Sequence, residues 1–202
     1  MPQEITAELN NKLIFTTTHG FKEDRRYELL NGLEVEVPKP VWFHNKIAGR
    51  IYTLLLAFID DNDLDDDVFV DGIAVYVEDG SEPEPDIVLI SDKSKLDGGV
   101  YRGVPELVVE VASPSTEKYD LNEKRKMYAK LGIPEYWTIN PIAKQITVWL
   151  YDNGELNASA VYQLPPVEAR VSADDPDYIT KIQTRYYGDR LTLDLYSIFK
   201  GI

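Results

Sequence analysis

The spacing of apolar and polar positions changes along this chain. In PVWFHNKIAGRIYTLLLAFID, residues 40–60, Ile47, Ile51, Leu54, Leu55 and Phe58 recur at helical spacing and predict a helix. Before it, RYELLNGLEVEVP reads as two short strands around Asn31-Gly32, a pair suited to a tight hairpin turn. From residue 67 the pattern becomes that of strands. DVFVDGIAVYVED gives two β-rich runs parted at Asp71-Gly72, EPDIVLIS a third and PELVVEVAS a fourth. Pro114 closes the fourth, and Ser115 and Thr116 offer a cap for a helix over TEKYDLNEKRKMYAKLG that stops at Gly132. PEYWTIN adds a strand, and QITVWLYDNGELNASAVYQL a hairpin turning at Asp152-Asn153-Gly154. LTLDLYSIF near the end reads as a strand or short helix covering an edge. Helix, sequential strands, helix and further strands predict a mixed α/β (α+β) fold, not the regular alternation of a doubly wound sheet.

Two acids break this pattern. Glu110 stands inside the apolar run LVVEVA, where a carboxylate costs several kcal/mol unless it is paired or protonated. Asp86 follows Pro85 and opens another apolar strand, with Val88 and Ile90 on its own face. If these strands are neighbours, the carboxylates converge at one end of a sheet, where like charges either raise a pKa or are neutralised by a cation. A hard divalent ion such as Mg²⁺ takes one or two carboxylates plus waters. Each acid also has a plain structural reading, Asp86 as a hydrogen-bonded strand-entry residue and Glu110 as an edge-exposed one. The following helix puts Asp120, Lys124 and Tyr128 on one face at i, i+4 and i+8. That face is either a solvated Asp–Lys pair or a lysine brought to the two carboxylates.

Composition narrows the choices. The chain has 202 residues, 44% of them hydrophobic, without an internal repeat or linker, so 1–202 is expected to be one domain with residues 1–20 as a loosely attached lead-in. No apolar run is long enough for a membrane span. The start, MPQEITAELNNK, has neither a basic leader nor a signal core, and cysteine is absent; both suggest a cytoplasmic protein. A net charge of −14 argues against coating nucleic acid with the whole surface, since phosphate binding runs on Lys and Arg. DDNDLDDD, residues 60–67, reads as a solvated loop without the glycine and spacing of an EF-hand.

RYELLNG, EPDIVLIS, PELVVEVASPST and DLNEKRKMYAKLGIPEYWTIN, in that order over roughly residues 21–198, resemble the Uma-type family of restriction-endonuclease-like proteins in the PD-(D/E)XK nuclease superfamily. The resemblance implies a restriction-endonuclease-like core, a central mixed sheet flanked by helices, here with extra β-hairpins. It sets Asp86 on the Pro-Asp position and Glu110 on the second acid, both as Mg²⁺ ligands, with Mn²⁺ as a substitute. The superfamily's lysine, usually two residues beyond that acid, is replaced here by Ala112, and the helical Lys124 matches the family's relocated lysine. Asp120 and Tyr128 match supporting positions. Leu33 stands where relatives more often carry glutamate, leaving Glu28 as the additional acid.

The resemblance implies a metal-dependent DNA endonuclease, with Asp86, Glu110 and Lys124 catalytic, acting as a homodimer because cutting a duplex needs two sites. Lys118, Lys124, Arg125, Lys126 and Lys130 would supply its basic surface. The competing readings are a nuclease-fold binding or assembly module without turnover, favoured by the charge, by Leu33 and by the missing in-strand lysine, and a hydrolase of another phosphate ester.

Overall fold

The computed structural model of the protein describes residues 26–30, 32–37, 39–112, 120–165 and 179–202. Strands β1 (Arg26–Leu30) and β2 (Leu33–Val37) form an antiparallel ribbon in which Leu30 faces Leu33. Gly32, at φ +74°, supplies the left-handed backbone such a turn requires. Asn31 lies outside the described residues, as do the 1–20 lead-in and the expected cap at Ser115 and Thr116.

Helix α1 (Trp42–Asp61) follows. Then come β3 (Asp67–Val70), β4 (Ala74–Val75), β5 (Ile87–Ile90), β6 (Leu96–Asp97), β7 (Val100–Tyr101) and β8 (Leu107–Val111). A π-type turn, Asp120–Lys124, leads into α2 (Arg125–Leu131), which ends on the left-handed Gly132. The expected stop thus falls where the sequence set it. Strands β9 (Glu135–Asn140), β10 (Gln145–Asp152) and β11 (Glu155–Gln163) complete the large sheet. Strands β12 (Lys181–Gln183) and β13 (Thr192–Asp194) form a small ribbon, and the short α3 (Leu195–Ile198) follows directly, so LTLDLYSIF is strand and helix in turn.

The main sheet has six strands in the order β11-β10-β9-β8-β5-β3. It is mixed, because β8 and β9, joined through α2, run parallel while the other neighbours run antiparallel. A three-stranded sheet, β4-β7-β6, lies apart from it. The odd-numbered residues of β5, β8 and β9 (Ile87, Leu89, Leu107, Val109, Val111, Trp137 and Ile139) pack on Ile47, Ile51, Leu55 and Ile59 of α1. Their even-numbered neighbours face the other way: Val108 and Tyr136 meet Tyr128 and Ala129 of α2, and Val88 and Ile90 meet Val75 and Tyr101. Both faces of the central strands are therefore buried, which is why those strands read as continuous apolar runs rather than alternating ones. Any charge in them needs a partner inside the protein.

Candidate active site

Strands β5 and β8 are antiparallel neighbours, with Ile87 opposite Val109 and Val88 opposite Val108. Continuing this register by one residue sets Asp86 opposite Glu110, both on the face that carries Val88, Val108 and α2. The two acids singled out by the sequence thus come from one end of adjacent strands and the same face. Asp86 is fixed by the strand itself, since the Val111 N–H donates to its Oδ2 at 2.6 Å.

Lys124 is not a solvated helix residue. Its Nζ donates to Glu110 Oε1 at 2.9 Å and to Glu28 Oε1 at 3.2 Å. The hydroxyl of Tyr128, one turn further along, donates to the same Glu110 oxygen at 2.7 Å. Asp86, Glu110, Glu28 and Lys124 are each no more than 8% exposed. Burial first, then the Glu110 charge and more weakly Tyr136 and Glu28, holds the Tyr128 hydroxyl well above its ordinary pKa, so it remains a donor. Glu28 comes from β1, where burial alternates so that Glu28 and Leu30 turn inward while Tyr27 is exposed. Glu28 Oε2 is buried without a hydrogen-bond partner among the described residues. Two carboxylates share one ammonium, and one of their oxygens is unsatisfied. Such a cluster has room for another positive charge.

The sequence reading missed His44. It lies in the first turn of α1, buried, with Nε2 3.0 Å from Asp86 Oδ2 and Nδ1 3.3 Å from the Asn45 side-chain oxygen. Burial alone would lower its pKa. The hydrogen bond and charge of Asp86 outweigh burial, with smaller contributions from Asn45 and Asp71, and raise it. The available signal was positional, for His44 extends the apolar stripe of Ile47, Ala48, Ile51 and Leu55 by one turn.

The side chain of Asp120 lies outside the described residues. Leu33, at 69% exposed, points away from any such cluster, consistent with Glu28 being the acid the hairpin contributes. The profile of the Uma2 family, described as "Putative restriction endonuclease", matches residues 12–175. This chain belongs to the Uma2 family. Its fold is shared by a solved structure titled a putative nuclease belonging to DUF820, from Anabaena variabilis ATCC 29413. That structure superposes with a TM-score of 0.65 at 14% identity, over 86% of this chain and 89% of the other. No curated protein matches the sequence.

The surroundings of the site in this Uma2 member are less basic than the sequence suggested. Of the cations expected to form a patch, Lys124 is turned inward, and Lys118 lies outside the described residues. Lys126 faces Glu123 at 3.1 Å, Lys130 faces Asp79 at 3.5 Å, and the Arg125 guanidinium stacks 4.6 Å over the Trp149 ring. Among the described residues no group of three or more His, Cys, Asp or Glu side chains is gathered as a metal cage. What the described residues offer is a smaller set, carboxylates at a strand end with one glutamate oxygen that has no hydrogen-bond partner among the described residues, and oxygen donors of this kind are the type a hard divalent ion takes. Among the described residues no helix is long and apolar enough to cross a membrane.

Proposed function

We propose that this protein is a metal-dependent nuclease that hydrolyses phosphodiester bonds in DNA, with the catalytic arrangement of the PD-(D/E)XK superfamily. The observation that carries this reading is the cluster of buried carboxylates around the ends of β5 and β8 and the facing strand β1: Glu28 and Glu110 both accept from Lys124, and Glu28 Oε2 is buried without a hydrogen-bond partner among the described residues. Asp86 and Glu110 would hold the ion, Mg²⁺ or Mn²⁺. When bound, the ion supplies Lewis acidity toward a phosphoryl oxygen and lowers the pKa of a coordinated water.

The chain's own residues do the rest. Lys124 places a positive charge where negative charge develops on the phosphoryl oxygens, from the helix rather than from position 112 on the strand. Tyr128 and Lys124 fix the orientation of Glu110 through its Oε1. The unpaired oxygen of Glu28 can accept the proton of the attacking water. As the water oxygen bonds to phosphorus, the phosphorus–oxygen bond to the leaving sugar breaks and that oxygen takes a proton from solvent. Action on both strands of a duplex calls for a homodimer.

A second reading, a nuclease-fold binding module without turnover, is favoured by one observation: the exposed lysines of α2 are offset by Glu123 and Asp79. Plasmid nicking with and without Mg²⁺, alongside calorimetric metal titration, separates the two for wild type, Glu110→Gln and Asp86→Asn. Metal binding with nicking that both variants abolish supports the nuclease. Metal-independent DNA binding with no nicking by wild type supports the module.

A further inference from the structure

Beside the carboxylate of Asp86 lies one imidazole nitrogen. His44 Nε2 lies 3.0 Å from Asp86 Oδ2, and both side chains are buried. Two ligands about 2.1 Å from one ion and 3.0 Å apart subtend about 90° at it, the angle between adjacent positions of an octahedral shell. The pair is also held in place. Asp86 Oδ2 is anchored by the Val111 N–H, and the imidazole by the first turn of α1 with its Nδ1 toward Asn45. A ring whose second nitrogen is engaged, beside an anchored carboxylate, has the oriented ligand arrangement common at metal sites.

We propose that His44 is a metal ligand that acts with Asp86, and that it shifts the site's preference from Mg²⁺ toward first-row transition ions. This inference rests on the metal-dependent reading above and adds which ion the site selects. The physical reason is donor type. Mg²⁺ favours oxygen and binds imidazole poorly, whereas affinity for a site containing imidazole rises along Mn²⁺, Fe²⁺ and Co²⁺. Carboxylates alone would leave this preference weak. The alternative is that His44 is only a charged partner of Asp86. The two roles predict opposite effects. Removing a ligand weakens transition-ion binding selectively, whereas removing a competing cation strengthens binding of every divalent ion.

The test is calorimetric titration of wild type, His44→Gln and His19→Gln with Co²⁺ and with Mg²⁺, together with electron spin-echo spectroscopy of the Mn²⁺-loaded protein. The expected result is a loss of Co²⁺ affinity of about tenfold or more in His44→Gln, with Mg²⁺ affinity changed by less than about threefold. His19, the other of the two histidines, serves as the control and should leave both values unchanged. Nitrogen-14 modulation in the wild-type echo should be replaced by a nitrogen-15 pattern when the histidines are labelled, a readout that needs no variant to fold. Metal binding without that modulation, or His44→Gln raising affinity for both ions or changing both equally, would overturn the inference and leave the metal-dependent reading standing. Failure of wild type to bind any of the three ions would overturn both.

Discussion

Lys124 concentrates the energetics of the site in one side chain. It is buried and donates to two carboxylates, so its removal leaves both acids short of a cation. Breaking a buried ion pair from one side costs about 3–5 kcal/mol. Lys124→Met is therefore expected to lower the stability of the metal-free protein by that order, and millimolar Mg²⁺ should recover more stability in the variant than in wild type. Chemical denaturation with EDTA and with Mg²⁺ checks this, and a loss of only a few tenths of a kcal/mol would return Lys124 to the status of a solvated lysine. DNA nicking should fall by roughly two orders of magnitude. At this scale the sequence was readable where chemistry clashed with context. Asp86 and Glu110 stood out because their strands are otherwise apolar, and Lys124 with Tyr128 because helical spacing aligned them. His44 did not stand out, because a histidine on an apolar stripe is ordinary until its neighbour is known, and Asp86 becomes its neighbour only through the tertiary fold.

Between elements, a further buried acid, Glu135, links two parts of the fold. Glu135 of β9 accepts from the Trp137 indole at 2.7 Å and from the backbone N–H of Arg185 at 2.6 Å, tying the sheet to the turn before β13. Burial raises its pKa from the ordinary 4.5 to about 7, against the opposing pull of these hydrogen bonds and the Arg185 charge. Across that window the folded protein keeps a proton that the unfolded chain has released, so stability from this group falls as pH rises. The loss is roughly 3 kcal/mol and is completed only as pH rises past the folded pKa of about 7. Glu135→Gln should be less stable at pH 4.5, where an amide N–H would face a donor, yet lose much less stability between pH 4.5 and 7; urea midpoints across the range measure the difference. The long helix and the hairpins were legible because their periods persist over many residues. The two-residue strands β6 and β7 were not, since two residues carry no period, and neither was the π-type turn before α2, which differs from an α-helical turn only in backbone bonding.

For the molecule as a whole, charge would set the terms on which the proposed DNA substrate is approached. The net charge is −14, and the exposed lysines of α2 are met by acids. Long-range steering toward a polyanion is therefore weak, and few phosphates can be neutralised. Affinity for duplex DNA is expected to vary with salt with a log–log slope of about −3 or shallower, and to strengthen when a divalent ion is present. Fluorescence anisotropy from low to physiological salt measures the slope. A slope near −8 would show that other cations of the chain form a phosphate-binding surface and would overturn this expectation. The mixed α+β class was readable from the order of elements. The edge-to-edge order of the large sheet was not, because it depends on which strands α2 brings side by side.

The sequence distances within the buried cluster imply an order of assembly during folding. Lys124 and Glu110 are separated by 14 residues, Asp86 and Val111 by 25, and Lys124 and Glu28 by 96. Closing a longer loop costs more entropy, so the contacts within residues 86–124 are favoured early and the hairpin's contribution late. A partly folded chain that has joined β5, β8 and α2 thus already holds Glu110 against its lysine, and the apolar strands can close around a neutralised charge. On this ordering the third acid, Glu28, would join last, carried by a ribbon outside the main sheet. An order of assembly set by loop length would keep the carboxylate of Glu110 from being buried alone during folding as well as in the final state.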